Sequence, residues 1–370
     1  MARLRDISLR ALTDRLEEVV PMFMKATAVP GLSITIIQSD AIVWSQAFGV
    51  RNCGTQEPVT RDTVFEAASL SKPMFAYACL KLCEKGVLNL DTPLINYTPD
   101  RRICITLPTA DSEPQHLELD VPQLETVTAR HVLSHTTGLP NWPSGEKPLK
   151  IHFTPGKRFS YSGMAYSTLQ AVVETITNLA SEEFVEATIL RPLEMENSRF
   201  FWTGRETMPV AVGHDRNGEP REKKVWGEMI AGASLHGTST DYAKFMLAIM
   251  QSPRESPHHL RANLSEEMLT SQVQVNDSLS WRKDWPKANI KINEQIGWGL
   301  GWGIQHTNDG SAFWHWGDNG TYQNFAIGFR QEGFCIVIMT NGENGQKAYR
   351  RILCETVGGE YPSLDWLINT

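Results

Sequence analysis

Residues 65–86 read FEAASLSKPMFAYACLKLCEKG and decide the fold of this chain. Ser69 and Lys72 within them are spaced so that a helix places both side chains on one face, a single turn apart. A serine hydroxyl is a poor nucleophile until a base takes its proton, and a desolvated lysine amine can be that base. The segment is predicted to be a helix because apolar residues recur at core-facing spacing: Phe75, Cys79, Leu82 and Cys83.

The same serine–lysine spacing occurs elsewhere in the sequence, but only Ser69 opens a helical pattern. Ser144 and Lys147 fall in WPSGEKP, where proline and glycine predict a turn. Ser280 and Lys283 fall in a polar stretch without helical periodicity. We therefore expect the chemistry at Ser69; the alternative is that this serine is a simple N-cap residue, a common role for serine.

The composition predicts a globular protein and excludes several classes of function. The chain has 370 residues, 41% of them hydrophobic, and a formal net charge of -7. Charges of both signs are interspersed, so no basic stripe for nucleic acid is expected. No stretch approaches the roughly 18 apolar residues that a membrane span needs, so no membrane association is expected.

The cysteines and the N-terminal stretch favour a cytoplasmic protein. The six cysteines form no C-x-x-C pair, and the N-terminal stretch lacks the apolar core of a signal peptide. No H-E-x-x-H motif or cysteine–histidine quartet is present, so neither a metal ion nor a cofactor is expected. The sequence leaves the oligomeric state open.

The order of β-rich and helical segments predicts one sheet built from both ends of the chain. An amphipathic helix over 8–25 precedes GLSITIIQSD and AIVWSQAFGV, two β-rich runs that predict a hairpin. Further β-rich runs and a last helix close the chain. We predict an α/β sheet lobe from 1–62 and 294–370, a helical lobe from 63–293, and an active site in the cleft between them.

The predicted helical lobe consists of helices joined by loops rich in proline and glycine. The stretch 100–127 has several prolines and aspartates and is predicted to be an irregular surface excursion. Helices are predicted at 72–85, 128–134, 163–177, 181–190 and 240–250.

Two further segments carry motifs that we interpret together with the Ser69 segment. RFSYSGMAYSTL, residues 158–169, holds Tyr161 just before a predicted helix. FWHWGDNGTYQNF, residues 313–325, holds His315, Trp316 and Gly317 on a predicted strand. The phrases LSHTTGLP and LHGTSTDYAKF lie between these segments.

With these motifs the chain resembles the serine β-lactamase and penicillin-binding-protein superfamily over about residues 28–345. It is most similar to the class C-like branch, which includes family VIII carboxylesterases, D-amino-acid-processing peptidases and amidases, and lovastatin-type acyltransferases. The resemblance implies an α+β, β-lactamase/transpeptidase-like fold. Its antiparallel sheet is flanked by terminal helices and carries an inserted, mostly helical lobe.

The resemblance also implies roles for matching residues. Ser69 matches the acylated nucleophile, and Lys72 matches the lysine that helps to deprotonate it. Tyr161 matches the tyrosine whose phenol, lowered in pKa by nearby positive charge, shuttles the proton. The backbone N–H groups of Ser69 and Asp318 would form the oxyanion hole, where such donors typically contribute several kcal/mol to barrier lowering.

The substrate-binding positions depart from the family pattern. Gly163 replaces the asparagine of the Y-x-N motif, which contacts the substrate's amide side chain. His315, followed by Trp316 and Gly317, replaces the lysine of K-[ST]-G, and histidine is largely neutral at pH 7. A literal Y-x-N at 322–324 follows this strand and is interpreted as strand residues. Both changes favour esters or neutral acyl groups over β-lactams.

The remaining aromatic and histidine residues in these motifs divide into structural residues and candidates for the cleft lining. The resemblance places His135, in LSHTTGLP, away from the chemistry as a structural residue. Trp316 is a candidate for the cleft lining, as are some of a further group in which core packing is the usual role for each member: Trp142, Trp226, Trp298 and Trp302.

We therefore predict a metal-free serine hydrolase that acts through an acyl-enzyme on a small-molecule ester or amide, with esters preferred. The alternatives are an acyltransferase of secondary metabolism, a D-amino-acid peptidase or amidase, and a class C-like β-lactamase. A non-catalytic binding protein of the same fold is disfavoured because Ser69, Lys72 and Tyr161 are all present.

Overall fold

The structure is a computed structural model, and it describes most of the chain. The further serine–lysine pairs, Ser144/Lys147 and Ser280/Lys283, lie outside the described residues. The description covers residues 8–107, 115–119, 122–142, 150–204, 207–222, 225–252, 256, 258–276, 292–308 and 310–368.

The strands of the described residues fall in three groups along the chain. The N-terminal strands are β1 (Gly31–Gln38), β2 (Ala41–Asn52), β3 (Glu57–Pro58) and β4 (Phe65–Ala68). The middle strands are β5 (Cys104–Leu107), β6 (Gln115–Glu118), β7 (Leu235–Gly237) and β8 (Val273–Asn276). The C-terminal strands are β9 (Ile292–Trp298), β10 (Gly303–Thr307), β11 (Gly310–Asp318), β12 (Gln323–Phe329) and β13 (Phe334–Thr340).

The helices of the described residues lie at both ends and in the middle of the chain. The terminal helices are α1 (Leu9–Thr27), α8 (Gly345–Arg351) and α9 (Pro362–Ile368). The middle helices are α2 (Ser71–Glu84), α3 (Ala129–Leu133), α4 (Gly163–Thr177), α5 (Ser181–Val185), α6 (Ser239–Met250) and α7 (Ala262–Leu269). Helices α2, α3, α4 and α6 lie at predicted positions, and α5 together with the π-helical turn Glu186–Leu190 spans the predicted 181–190 helix. Helix α7 was not predicted.

A nine-stranded antiparallel sheet joins the two ends of the chain. Its strand order is β3-β2-β1-β13-β12-β11-β10-β9-β8. The N-terminal β1 pairs with the C-terminal β13, so that Leu32 lies opposite Thr340 and Gln38 opposite Phe334. Both strands are buried on both faces. Strand β13 is an almost continuous apolar run, whereas β1 also carries Ser33 and Thr35, whose buried hydroxyls hydrogen-bond with Ser239 of α6. The predicted antiparallel sheet with flanking terminal helices is confirmed.

The two faces of the sheet carry different helices. One face packs against the terminal helices, with Leu16 and Val20 of α1 fully buried beside Ile34 and Ile36 of β1. The other face packs against the middle helices, where α6 lies on β1, β2 and β13. Helix α2 belongs to the same core, and its residues from Ser71 to Leu82 are all buried. A helix buried on every side is typical of the centre of a large domain.

The sheet extends further than the sequence predicts. Strand β8 pairs with β9 at the edge of the sheet, although its residues lie inside the 63–293 segment predicted as the helical lobe. The strand is only four residues long, VQVN, so its sequence carries little periodic signal.

The 100–127 stretch is not wholly irregular, so that prediction is wrong. It contains β5 and β6, which pair with Cys104 opposite Glu118 and Leu107 opposite Gln115. Ile105 is fully buried in the same core as α2, and this packing holds the hairpin against the domain. Residues 108–114 and 120–121 lie outside the described residues.

A second small sheet positions the candidate site. Strand β4 pairs with β7, with Phe65 opposite Gly237 and Glu66 opposite His236. Strand β4 leads directly into the turn that holds Ser69. Within the described part of the chain, no helix has the length and hydropathy needed to cross a bilayer.

Candidate active site

Ser69 lies in a short turn between β4 and α2. Ala68, the last residue of β4, has a φ of 54°, a left-handed conformation that is uncommon for residues other than glycine. The Ser71 hydroxyl donates to the Ala68 carbonyl oxygen at 2.5 Å and accepts from the Leu235 amide at 2.9 Å. The N-cap position is Leu70, which makes no side-chain cap. The N-cap alternative for Ser69 is therefore wrong.

Lys72 is buried beside Ser69. Its side chain is 1% exposed, and Nζ donates to Ser69 Oγ at 3.1 Å and to the Gly232 carbonyl oxygen at 2.7 Å. Burial disfavours the charged ammonium and lowers the pKa of Lys72 to about 7. A large fraction of this amine is therefore neutral at physiological pH and can accept the Ser69 proton.

Tyr161 packs its ring against the same lysine. Lys72 Nζ lies 4.6 Å from the ring centroid. Burial raises the pKa of Tyr161, and the neighbouring Ser69 side chain opposes this only in part. The lowered pKa implied by the resemblance is therefore wrong for the free protein, because desolvation dominates. Tyr161 can relay a proton as a neutral phenol, which leaves Lys72 as the base.

His315 lies on β11 with its ring centroid 6.2 Å from that of Tyr161. Its Nδ1 donates to the Trp316 carbonyl oxygen at 2.6 Å, while Nε2 has no hydrogen-bond partner among the described residues. Burial and the charge of Lys72 lower the pKa of His315 to about 3. The neutral histidine expected from the sequence is thus reinforced by burial, and this position offers no positive charge to a substrate carboxylate.

Gly317 allows β11 to approach β4 closely. A Cβ atom at this position would lie 2.1 Å from the Ala67 carbonyl oxygen, so any other residue would force the strands apart. The approach brings Asp318, at the end of β11, toward the Ser69 turn. The Asp318 carboxylate accepts from the Gly320 amide at 2.8 Å and from Gln323 Nε2 at 3.2 Å. These bonds hold the carboxylate in the β11–β12 turn.

Gly163 begins α4 and is closed off by Trp142. A Cβ atom at Gly163 would lie 2.4 Å from Trp142 Cζ2, so the indole fills the space that a side chain would need. The Gly163 amide donates to Asn141 Oδ1 at 2.8 Å. Gly163 Cα also lies 3.6 Å from where a Cβ atom on Gly232 would be, and Gly232 holds Lys72. The half-buried Trp142 therefore forms a wall close to Lys72.

The other tryptophan candidates lie in three different settings. Trp298 and Trp302 are fully buried in the core and do not line a cleft. Trp226 packs with Trp202 in a small cluster that Trp142 also contacts. Trp316 is 8% exposed and lies 4.8 Å from the Tyr161 ring, so it supports that ring from behind; its contact with substrate stays a prediction.

His135 lies much closer to the chemistry than the sequence indicated. Its ring centroid is 4.3 Å from that of Tyr161, and its Nδ1 accepts from the Ser162 amide at 3.0 Å. The expectation of a residue away from the chemistry is wrong, because LSHTTGLP folds directly under Tyr161. Sequence reasoning also missed Gly232, since no motif marks a residue whose carbonyl oxygen is the functional group.

The literal Y-x-N at 322–324 has the structural role assigned to it. Asn324 lies on β12 and is fully buried. Its Nδ2 donates to the Glu66 carbonyl oxygen, and its Oδ1 accepts from the Thr340 amide, each at 3.0 Å. This side chain ties β4 to β12 and β13 and does not face Lys72.

Comparison with known proteins shows that the chain matches a family model over most of its length. A family model described as Beta-lactamase matches residues 16–353. Protein flp of Staphylococcus aureus (strain N315) is 21% identical over 89% of this chain. Esterase EstB of Burkholderia gladioli is 28% identical over 57% of this chain. The chain spans 63% of the length of Protein flp and 57% of that of EstB.

A solved structure shows the same fold. The octameric penicillin-binding protein homologue from Pyrococcus abyssi superposes with a TM-score of 0.73 at 22% identity. The match covers 94% of this chain and 78% of the homologue. At this identity the likeness establishes the fold alone, and the chemistry must be argued from the residues.

Proposed function

Because this chain belongs to the β-lactamase family, we propose that it is a serine hydrolase that forms an acyl-enzyme on Ser69 and prefers small, neutral esters. The observation that carries this proposal is the pairing of Ser69 with a buried lysine. Lys72 Nζ lies 3.1 Å from Ser69 Oγ, and burial lowers the pKa of Lys72 to about 7. A base with a pKa near the working pH is the most effective proton acceptor.

In the acylation step, Ser69 Oγ attacks the ester carbonyl carbon while Lys72 Nζ takes the hydroxyl proton. The backbone N–H groups of Ser69 and Asp318 donate hydrogen bonds to the carbonyl oxygen and stabilise the negative charge that develops on it. The bond between the carbonyl carbon and the leaving oxygen then breaks. Tyr161 gives its phenolic proton to that oxygen and regains a proton from the Lys72 ammonium.

In the deacylation step, water replaces the leaving alcohol. Tyr161 and Lys72 take a proton from the water as its oxygen attacks the acyl carbon. The bond between that carbon and Ser69 Oγ breaks, and the proton returns to Ser69. One acid and one alcohol leave per turnover, and the protein returns to its starting protonation state without a metal ion or cofactor.

The preference for esters over β-lactams rests on two side chains. Trp142 fills the space beside Gly163, so no side chain at this position can bind an amide substituent. His315 is neutral and buried, so it does not attract a carboxylate. A missing charge-assisted hydrogen bond to the carboxylate typically costs about 1.5–3 kcal/mol, and a missing neutral one to the amide about 0.5–1.5 kcal/mol, together roughly thirtyfold or more in specificity. A small neutral ester needs neither contact.

The free thiols fit the reducing cytoplasm that we propose as the location. All six cysteines are free, and cytoplasmic thiols are normally kept reduced.

The first test is the site of covalent modification. A fluorophosphonate probe should react with the protein and add its mass to the peptide that contains Ser69. Ser69→Ala should abolish the adduct, whereas Ser71→Ala should retain it, since Ser71 points to Ala68 and Leu235. An adduct on Ser144 or Ser280 would overturn the assignment.

The second test compares substrates. We expect kcat/KM for p-nitrophenyl butyrate to exceed that for nitrocefin at the same pH by at least about thirtyfold, given two missing contacts. Faster turnover of nitrocefin would identify a β-lactamase and refute the inference from Gly163 and His315. Labelling of Ser69 without hydrolysis of either substrate would favour an acyltransferase, peptidase or amidase.

A further inference from the structure

Glu66 is a buried carboxylate that the proposed mechanism does not use. It lies on β4, three residues before Ser69, and is 2% exposed. Burying a carboxylate is costly unless polar groups stabilise it. Its position beside the nucleophile therefore calls for a role near the site.

The carboxylate binds an amide from the other side of the site. Asn319 Nδ2 donates to Glu66 Oε1 and, at 3.3 Å, to the Ala233 carbonyl oxygen. Glu66 Oε2 lies 4.0 Å from Nε2 of His236, its cross-strand neighbour on β7. One carboxylate and one amide therefore join β4, the 231–237 segment and the β11–β12 turn.

Each of these three segments carries one part of the proposed machinery. Strand β4 leads into Ser69, and the 231–237 segment includes Gly232, whose carbonyl oxygen accepts a hydrogen bond from Lys72 Nζ. Strand β11 ends at Asp318, and Asn319 follows it in the β11–β12 turn. The Glu66–Asn319 pair therefore connects the segments that carry the two backbone amides assigned to the oxyanion hole.

We propose that Glu66 and Asn319 are positioning residues. They hold the Asp318 amide where it and the Ser69 amide can both donate to the same oxyanion. This inference rests on the proposed function, since it concerns the same oxyanion hole. Neither side chain touches the substrate. Their effect is expected in the transition state, where the oxyanion forms, rather than in substrate binding.

The kinetic test uses Asn319→Ala and p-nitrophenyl butyrate. Small misplacements of catalytic groups typically cost up to about a hundredfold, so we expect kcat to fall about 10- to 100-fold while KM changes by less than about threefold. The inhibition constant of phenylboronic acid, which forms a tetrahedral adduct with the serine, should rise by the same factor as kcat/KM falls. Unchanged kcat and inhibition constant would overturn the proposal.

A charge exchange tests the pair directly. Asn319→Asp places a second carboxylate against Glu66 and should reduce kcat further than Asn319→Ala does. Adding Glu66→Gln to that variant restores an amide–carboxylate pair, and we expect it to recover at least about tenfold of the lost kcat. Failure of the double variant to recover any activity would refute the pairing.

The matched control is Ser363→Ala, which removes another buried hydrogen bond. Ser363 on α9 donates to Gln305 Oε1 at 2.6 Å and is fully buried. This variant should lose stability to a degree similar to Asn319→Ala and keep its kcat. An equal loss of kcat in both variants would show a general structural effect and contradict the proposal.

Hydrogen–deuterium exchange separates this inference from the proposed function. Peptides that cover 231–237 and 318–322 should exchange faster in Asn319→Ala than in wild type and in Ser363→Ala. If wild-type protein were neither labelled at Ser69 nor active on esters, the proposed function would fail. The exchange rates would still show whether Glu66 and Asn319 hold the two segments together. Unchanged exchange in both peptides would refute that role.

Discussion

At the scale of single residues, burial determines the chemistry of the site. Lys72 and Tyr161 are both almost fully buried, and desolvation acts on their pKa values in opposite directions. It lowers the pKa of the lysine to about 7 and raises that of the phenol. Each group is thereby shifted toward its neutral form, so near pH 7 a large fraction of the free protein holds a neutral amine beside a neutral phenol.

The residue-scale prediction is a pH dependence of activity. Lys72 acts as a base only when neutral, so kcat/KM should rise with pH through a single ionisation near the pKa of about 7 and then level off. His315, with a pKa of about 3, should not contribute in this range. The measurement needs an ester whose product signal does not depend on pH.

A control for this profile is thermal stability across the same pH range, which must stay high enough to exclude unfolding as the cause. Lys72→Arg should remove the ionisation together with most activity, since arginine stays charged. Activity that falls as the pH rises through 7 would show that the protonated lysine is required and would contradict this mechanism.

At the scale of secondary-structure elements, glycines allow close approaches that shape the site. Gly317 lets β11 approach β4, and Gly163 lets the segment that holds Trp142 approach the start of α4. Both contacts join segments that are distant in sequence. The shape of the site therefore depends on the absence of side chains at Gly163 and Gly317 as well as on the polar groups around it.

The element-scale prediction concerns the contact between Gly163 and Trp142. Gly163→Asn should destabilise the protein by about 1–3 kcal/mol, the usual cost of overpacking, because its Cβ atom would meet the indole. Trp142→Ala should relieve the clash, so the double variant should be less destabilised than the sum of the single changes.

Urea denaturation of the wild type and all three variants completes this double-mutant cycle. We also expect the double variant to hydrolyse nitrocefin faster relative to p-nitrophenyl butyrate than wild type does, since an amide side chain returns to position 163. Strict additivity of the stability changes would show that Trp142 does not close this position.

At the scale of the whole molecule, aromatic packing ties the sheet to the motif residues. Trp298 of β9 is fully buried. Its ring centroid lies 5.3 Å from that of His135, 5.5 Å from that of His315 and 6.0 Å from that of Tyr161. One side chain thus connects the sheet with two segments of the site.

The whole-molecule prediction is that Trp298→Ala lowers the free energy of unfolding by about 3–5 kcal/mol, the usual cost of removing a buried aromatic side chain. It should also lower kcat for p-nitrophenyl butyrate, because Tyr161 and His315 lose their common support. Trp44→Ala, at a half-exposed position on β2, is the matched control and should cost less than half as much. Equal losses for the two variants would argue against this role.

Much of the fold could be predicted because its signals are local. The spacing of Ser69 and Lys72, the apolar stripe of α2 and the β-rich runs of β1, β2 and β13 are each read within a few neighbouring residues. Strand β8 and the β5–β6 hairpin were not predicted, because short strands have little periodicity and form only when a partner strand is present.

The sequence by itself predicted Ser69, Lys72 and Tyr161 as the candidate catalytic residues and the approach of Lys72 to Ser69, which is three residues earlier. Only the tertiary structure decided the pKa values of Lys72 and Tyr161, because desolvation is the sum of many neighbours that are distant in sequence. It also decided the contact of Trp142 with Gly163 and that of Glu66 with Asn319. The physical reason is that burial and close packing depend on the whole chain, whereas helix spacing depends only on its nearest residues.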